Sequence, residues 1–257
     1  MRIVRRVTEL RLALHDGRRG LVPTMGAFHE GHLSLMRAAR AQCEQVVVSL
    51  FVNPAQFGAR DDMGRYPRDE ERDASLAEEA GVDVLFVPSP QEMYPEGFDT
   101  WVDVDATGGE ARARPGHFRG VATVCLKLFN LVRPDVAFFG QKDAQQVAVL
   151  RRMVRDLNVG VHIRVLPTVR DADGLALSSR NAYLTEAERQ RALGLPRALE
   201  AGRTAHDPVA AARAALNGLE AEYVELLDVD GATLLTAAAR VGSTRLIDNV
   251  IVEGELA

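Results

Sequence analysis

Short apolar runs alternate with amphipathic helical patterns over the first two thirds of the chain. The runs at residues 46–51, 82–87 and 136–139 are almost unbroken and rich in β-branched or aromatic side chains. Such runs are typical of central strands that are covered on both faces. Residues 161–166 instead alternate between apolar and polar side chains, which favours a strand nearer an edge or an end of the sheet.

Helical patterns lie between these strands. Residues 121–132 carry apolar side chains at helical spacing, and residues 147–157 repeat the pattern. Residues 69–80 are more strongly charged and indicate a surface helix. Strands and helices that alternate in this way predict a parallel sheet with helices on both faces. Ligands of such sheets bind at the carboxyl ends of the strands.

The pattern changes after about Asn181. A capping-box sequence at residues 185–188 opens a helix, and an alanine-rich helix follows at 208–219. Residues 223–229, 237–241 and 245–252 indicate short antiparallel strands. We therefore expect an α/β fold with two domains. Residues 1–169 form a Rossmann-like doubly wound parallel sheet, and residues 170–257 form a smaller α+β lid domain.

Composition narrows the class of protein. The chain has 257 residues, 47% hydrophobic and 26% charged, with a net charge of −5, so bulk electrostatics does not favour nucleic acid as a partner. Cys43 and Cys125 fall inside candidate helices without CxxC spacing, which indicates buried thiols in a reducing compartment. The six histidines form no zinc pattern. We expect a cytoplasmic protein, because no signal peptide and no run of roughly 20 apolar residues is evident.

The segment from Pro23 to His32 carries the most chemistry. A strand candidate at residues 20–22 ends there, and His29 and His32 then meet in the first turn of a helix that begins near His32. A helix N-terminus attracts anions, and its glycines leave room for a bulky ligand. This arrangement suits a nucleoside triphosphate. The alternative is an ordinary strand–helix turn in which the histidines only cap the helix.

Two further segments follow strand candidates. In the first, Asn53 and Gln56 flank Pro54, and their amides suit a small hydroxy acid; the alternative is an Asn-Pro turn with an exposed glutamine. In the second, residues 138–146, Lys142 offers a charge to phosphates, and Asp143 can accept from ribose or begin a helix. Gln146 would then occupy the third helical position. The alternative there is a solvated Lys–Asp cap.

A third segment, residues 167–181, follows the last strand candidate. Ser178 and Ser179 can donate to phosphate oxygens, and Arg180 supplies a delocalised positive charge. By themselves these residues fit a domain-linking loop at least as well as a phosphate clamp. Residues 114–120 place His117 or Arg119 near the cleft, at a dimer contact, or at an exposed helix entry.

These motifs together resemble a known family. The pattern His29-x-Gly31-His32 resembles the HxGH signature of the nucleotidyltransferases, and the wider segments resemble the pantothenate synthetase family from residue 21 to about 249. Five motifs occur in the family's order. Phe28 stands where the family more usually has leucine, and Gln141 replaces the usual glutamate. That second change removes a negative charge near the nucleotide and could alter its affinity.

The resemblance implies an ATP-dependent condensation of (R)-pantoate with β-alanine to pantothenate through pantoyl adenylate, releasing AMP and pyrophosphate. It implies catalytic roles for His29, His32, Lys142 and Arg180, with His32 as proton donor to the transition state. The implied ATP-binding residues are Met25, Gly26, Ala27, Phe28, His29, Glu30, Gly31, His32, Gly140, Gln141, Lys142, Asp143, Val169, Leu177, Ser178, Ser179 and Arg180. The implied residues for pantoate and β-alanine are Gln56 and Gln146, helped by Asn53.

A magnesium ion is expected mainly on phosphate oxygens, because the sequence offers no dedicated carboxylate cage. The resemblance also suggests a homodimer. Two alternatives remain open: another nucleotidyltransferase, which would make a dinucleotide-type product, and a nucleotide-binding regulatory subunit without turnover. The acidic charge and the lack of an anticodon-binding module disfavour an aminoacyl-tRNA synthetase fragment.

Overall fold

A computed structural model describes residues 1–58 and 62–256, and its main feature there is a six-stranded, all-parallel sheet in the order β1-β4-β3-β2-β5-β6. The strands are β1 (Arg2–Val4), β2 (Arg19–Thr24), β3 (Gln45–Leu50), β4 (Val84–Phe86), β5 (Val136–Gly140) and β6 (His162–Leu166). The alternating segment at 161–166 is an edge strand, as its pattern predicted. The strand order reverses between β2 and β5, where open α/β sheets form a ligand-binding crevice.

Helices cover both faces of this sheet and continue into the C-terminal part. They are α1 (Val7–Ala13), α2 (Glu30–Gln42), α3 (Glu70–Glu79), α4 (Pro90–Met93), α5 (Gly109–Ala113), α6 (His117–Val132), α7 (Ala144–Asp156), α8 (Glu186–Ala192), α9 (Gly194–Arg203) and α10 (Pro208–Ala215). Helix α2 begins two residues before the expected start at His32. Cys43 is the residue that ends α2 and not a residue inside it, although both cysteines are buried and free as expected.

Successive side chains of each central strand point to opposite faces of the sheet and pack into two separate cores. Val47 packs with helices α1, α6 and α7 on one face, whereas Val46 and Val48 pack with α2 and α3 on the other. This arrangement explains why the strand has a continuous apolar sequence, because both of its faces are buried. None of the described helices is both long enough and apolar enough to cross a membrane.

The C-terminal part contains a second, antiparallel sheet in the order β7-β8-β9, with β7 (Glu220–Val229), β8 (Ala232–Val241) and β9 (Thr244–Glu253). Each strand has ten residues and is longer than its pattern predicted. Asp230 and Gly231 form the first turn with φ of 46° and 88°, so β8 begins at Ala232 and not near 237. The fold is α/β with a smaller α+β part, as predicted.

Candidate active site

A cavity of about 320 Å³ lies at the carboxyl ends of β2, β3, β5 and β6 and extends to the small sheet. All the segments that the sequence analysis selected contribute to its wall. The predicted residues that line it are Met25, His29, Gly31, His32, Asn53, Gln56, Gly140, Lys142, Asp143, Gln146, Val169, Leu177, Ser178, Ser179 and Arg180. Residues separated by more than 150 positions are therefore brought to one site.

The predicted residues outside the cavity wall are Gly26, Ala27, Phe28, Glu30 and Gln141. The backbone N–H groups of Ala27 and Phe28 both donate to the buried carboxylate of Asp73 at 2.7 Å, which holds this turn against α3. The Phe28 side chain is buried in a core, and Glu30 is paired with Arg37 on the surface. None of these five residues lines the cavity. The Asp73 carboxylate and the buried Phe28 side chain hold the loop in place.

His29 and His32 lie side by side, with ring centroids 4.2 Å apart. His29 is the N-cap of α2, and its Nδ1 accepts from the N–H of Gly31 at 3.2 Å. The Nδ1 of His32 accepts from the N–H of His29 at 3.4 Å. Because a neutral imidazole that accepts at Nδ1 carries its proton on Nε2, each ring keeps an Nε2–H as its donor.

Both imidazoles are held in the neutral form. Burial, followed by the charge of Lys142, lowers the pKa of His29 to about 4. Burial, with the neighbouring His29 ring and Lys142, holds the pKa of His32 well below its ordinary value of 6.5. At neutral pH these rings therefore donate hydrogen bonds as uncharged groups. For His32 this is a different role from transfer of a proton from an imidazolium.

Lys142 lies in a 3-10 turn, Gln141–Asp143, between β5 and α7. Its ammonium is 3.5 Å from the carboxylate of Asp143 and is mostly shielded from solvent. Asp143 is the N-cap residue of α7, but its side chain makes no capping bond. Gln146 occupies the third helical position, as predicted, and lines the cavity.

The loop that carries Ser178 and Ser179 is hydrogen-bonded to the segment from Pro23 to His32. The Ser179 hydroxyl donates to the carbonyl of Ala27 at 3.2 Å, and the Ser178 hydroxyl accepts from the N–H of Arg180 at 3.3 Å. Arg180 makes two bonds of 2.8 Å to the carboxylate of Asp62. Asp62 was not among the predicted site residues, because nothing in its local sequence identifies a partner 118 positions away.

Asn53 uses both ends of its buried amide within the protein. Its Oδ1 accepts from the Tyr94 hydroxyl at 2.8 Å, and its Nδ2 donates to Gln56 Oε1 and to the carbonyl of Gly120, each at 3.1 Å. Gln56 also donates to the sulfur of Met25 at 3.0 Å. Asn53 therefore orients Gln56, and both residues line the cavity.

His117 supports the same turn from α6. Its Nδ1 lies 2.9 Å from the carbonyl of Gln56, and its Nε2 lies 3.3 Å from the guanidinium of Arg114. Burial and the charge of Arg114 lower the pKa of His117 to about 4, so the ring donates from Nδ1 and accepts at Nε2. Arg119, the other candidate, does not line the cavity; it lies over the Trp101 ring and pairs with Asp103.

The small sheet contributes a charged cluster that sequence reasoning missed. Glu110 of α5 accepts from the Tyr223 hydroxyl at 2.9 Å and from Arg245 at 2.5 and 3.0 Å. Arg245 also bonds Glu222 at 2.7 Å. Although burial alone would raise it, the pKa of Glu110 is lowered by Arg245 and Tyr223. This cluster joins helix α5 to the small sheet beside the cavity, and no local motif could have revealed it.

Comparisons with known proteins agree over nearly the whole chain. A family described as pantoate-beta-alanine ligase matches residues 2–251. A pantothenate synthetase of Heliobacterium modesticaldum is 51% identical over 98% of this chain and 100% of its own length. One from Acidobacterium capsulatum is 53% identical over 90% of this chain and 85% of its own.

Solved structures agree as well. A pantothenate synthetase from Thermus thermophilus superposes with a TM-score of 0.94 at 46% identity, over 99% of this chain and 100% of that one. A pantoate-beta-alanine ligase from Francisella tularensis, complexed with beta-gamma ATP and beta-alanine, gives 0.86 at 32% identity, over 99% of each chain. The matching family model, the identity and coverage of these relatives and the shared fold place this chain in the pantoate–β-alanine ligase family.

Proposed function

We propose that this chain condenses (R)-pantoate with β-alanine at the expense of ATP, through pantoyl adenylate, and releases AMP and pyrophosphate. The observation that carries the proposal is the single cavity that unites His29, His32, Lys142, the Ser178–Arg180 segment and Gln56. A carboxylate and a triphosphate can meet there, next to donors for both. The relative from Francisella tularensis was solved in complex with beta-gamma ATP and beta-alanine, which supports the same substrates here.

The physical task of the first step is to stabilise charge that grows on the α- and β-phosphates as the carboxylate of pantoate attacks. The neutral Nε2–H groups of His29 and His32 donate to these oxygens, and Lys142 supplies a full positive charge. Fixed donors of this kind are effective because they need no reorganisation in the transition state. Ser178, Ser179 and Arg180 hold the phosphates that leave as pyrophosphate.

Pantoate is bound at the other end of the cavity by amides. Gln56 is held by Asn53 and by Met25, so its position is fixed before substrate binds. The Gln146 side chain lines the cavity and makes no hydrogen bond to the described residues. A neutral amide can donate to a carboxylate and accept from a hydroxyl, which matches a hydroxy acid. We assign Gln56 and Gln146 to pantoate, and Asn53 to the positioning of Gln56.

We propose that Mg²⁺ enters with the triphosphate. Within residues 1–58 and 62–256, no group of three or more histidine, cysteine or acidic side chains could hold a metal ion. Asp143 is half-exposed on the cavity wall and offers one carboxylate. Mg²⁺ at nucleotide sites commonly binds substrate phosphates with only one or two carboxylates, so this donor set fits. When bound, the ion neutralises phosphate charge.

The remaining assignments are also proposals. The division at residue 169/170 is supported by a separate core formed by side chains from Leu175 to Leu246. A cytoplasmic location is supported by two buried free thiols. A homodimer is proposed from the family resemblance. Analytical ultracentrifugation of the protein tests it, and a monomer at micromolar concentration would contradict it.

The decisive assay mixes ATP, pantoate and β-alanine and measures AMP, pyrophosphate and pantothenate. Pyrophosphate release with pantoate alone, followed by pantothenate after β-alanine is added, supports the two steps. A dinucleotide-type product would support a different nucleotidyltransferase, and ATP binding without pyrophosphate release would support a regulatory protein. His32→Ala should slow adenylate formation by about 10²–10³. His162→Ala, on the exposed start of β6, is the matched control and should leave the rate unchanged.

A further inference from the structure

Strand β9 of the small sheet reaches the turn that carries Lys142. Asn249 is only 2% exposed, and its Nδ2 donates to the backbone carbonyls of Gln141 and Lys142, each at 2.9 Å. Its Oδ1 accepts from the Nε2 of Gln141 at 3.0 Å. One buried amide thus binds the turn at three points, although the turn and β9 are more than 100 positions apart.

The hydrogen bonds of Asn249 account for the amide at residue 141. Carbonyl oxygens can only accept hydrogen bonds, so Asn249 must point its NH₂ group at the two backbone carbonyls. Both of its hydrogens are then used, and its oxygen faces residue 141. Gln141 supplies a donor at this position. An ionised glutamate has no hydrogen to donate and would place its charge against the Asn249 oxygen.

The neighbouring residue fixes Asn249 in turn. The Asp248 carboxylate is 2% exposed and accepts from the N–H of Asn249 at 2.8 Å. Arg170 pairs with the same carboxylate at 2.6 and 3.0 Å. Arg170 directly follows Val169 of the cavity wall and also donates to the carbonyl of Gly174 at 3.2 Å. The pair Asp248–Asn249 thus holds both the Lys142 turn and the loop after β6.

We propose that Asn249 is a positioning residue for Lys142 and that Gln141 supports it by donating to the Asn249 oxygen. The inference rests on the proposed function, since Lys142 acts there on the triphosphate. Asn249 itself does not contact the reacting atoms in this assignment. It sets where the ammonium lies, because it binds the carbonyl of Lys142 directly. A misplacement of about 1 Å in such a group can cost about 10²-fold in rate.

Two variants test this: Asn249→Ala removes the amide, and Asn249→Asp keeps its shape but replaces the NH₂ group by an oxygen that cannot donate. Pantoate-dependent exchange between ATP and pyrophosphate measures adenylate formation alone. We expect kcat for exchange to fall by about 10- to 100-fold in both variants, with the KM for pantoate unchanged, since neither Gln56 nor Gln146 is hydrogen-bonded to Asn249. In a Lys142→Ala background, Asn249→Ala should lower the exchange rate no further, because the group that it positions is already gone.

A matched control separates positioning from general stability. Gln45 is also a buried amide with three bonds, to Ala13, His15 and Arg19, but it lies at the opposite end of the sheet. Gln45→Ala should lower the unfolding temperature and leave kcat unchanged. The inference is refuted if both test variants keep the parent's kcat, or if the KM for pantoate rises as kcat falls. A parent protein that makes no pantothenate would instead refute the proposed function.

Discussion

Gly120 of α6 lies against the Asn53–Gln56 turn, which we propose binds pantoate. A Cβ atom added there would lie 2.2 Å from the carbonyl oxygen of Ala55, 2.4 Å from its carbonyl carbon and 2.6 Å from the nitrogen of Gln56. The Gly120 carbonyl also accepts from Asn53. Gly120→Ala therefore tests whether the position of the Asn53–Gln56 turn sets pantoate binding, since the added methyl group must displace that backbone.

The expected losses of stability and activity follow from the clash between the added Cβ atom and the Ala55–Gln56 backbone. Real Cβ atoms essentially never approach another heavy atom within 3.0 Å, so the turn or the helix must move by close to 1 Å. Overpacking of a core costs about 1–3 kcal/mol, and each kcal/mol lowers the melting temperature by about 2–4 °C in a chain of this length. A shift of about 1 Å at Gln56 should lower kcat/KM for pantoate by about 10²-fold.

The assay is steady-state pyrophosphate release with pantoate varied at saturating ATP, and then the reverse. The loss should appear in the pantoate titration, with ATP affinity unchanged, because the His29–His32 and Lys142 segments do not contact Gly120. Gly160→Ala is the control, since a Cβ there meets nothing within 4 Å. If the Gly120→Ala protein is folded and binds pantoate as the parent does, the assignment of Gln56 to pantoate is refuted.

Two further predictions follow from the charges of the site. Asp62→Asn should tighten ATP binding, because Arg180 would no longer be bonded to a carboxylate that competes with phosphate; calorimetry with ATP would refute this if the affinity fell or stayed constant. The free energy of unfolding should decrease as pH falls from 6.5 towards 4, by up to about 3 kcal/mol for each of His29 and His117. The reason is that the unfolded imidazoles take up protons in this window while the folded ones stay neutral. Denaturant titrations at several pH values measure it, and a His29→Asn variant should show a flatter dependence.

The parts of the fold that the sequence revealed are those whose signal is local. The segment 46–51 predicted a central strand because its apolar side chains are continuous, and both of its faces are buried. The segment 161–166 predicted an edge strand because apolar and polar side chains alternate along it. The short strand β1 and helix α9 were missed. β1 has only three residues, and α9 contains Gly194 and Pro196, which weaken a helical pattern.

The residues of the site could likewise be predicted only where their signal is local. His29, Lys142 and Ser178 could be selected because each sits in a motif beside a strand end. Asp62 and Glu110 could not, because their roles come from partners 118 and 135 positions away. Gln141 was noticed only as a lost negative charge. Its contact with Asn249 gives a different reason for the amide, the need for a hydrogen-bond donor.

The motifs of this site hold one another in place, and this has a consequence for mutagenesis. Ser179 donates to the backbone of Ala27, and Gln56 donates to Met25. The Ser178–Arg180 loop and the Asn53–Gln56 turn are therefore both hydrogen-bonded to the segment 23–32. Asn249 fastens the Lys142 turn to the small sheet. Groups that share partners in this way are not independent. Substitutions in two different motifs should therefore lose less activity together than the product of their separate losses, whereas changes at distant surface positions should multiply.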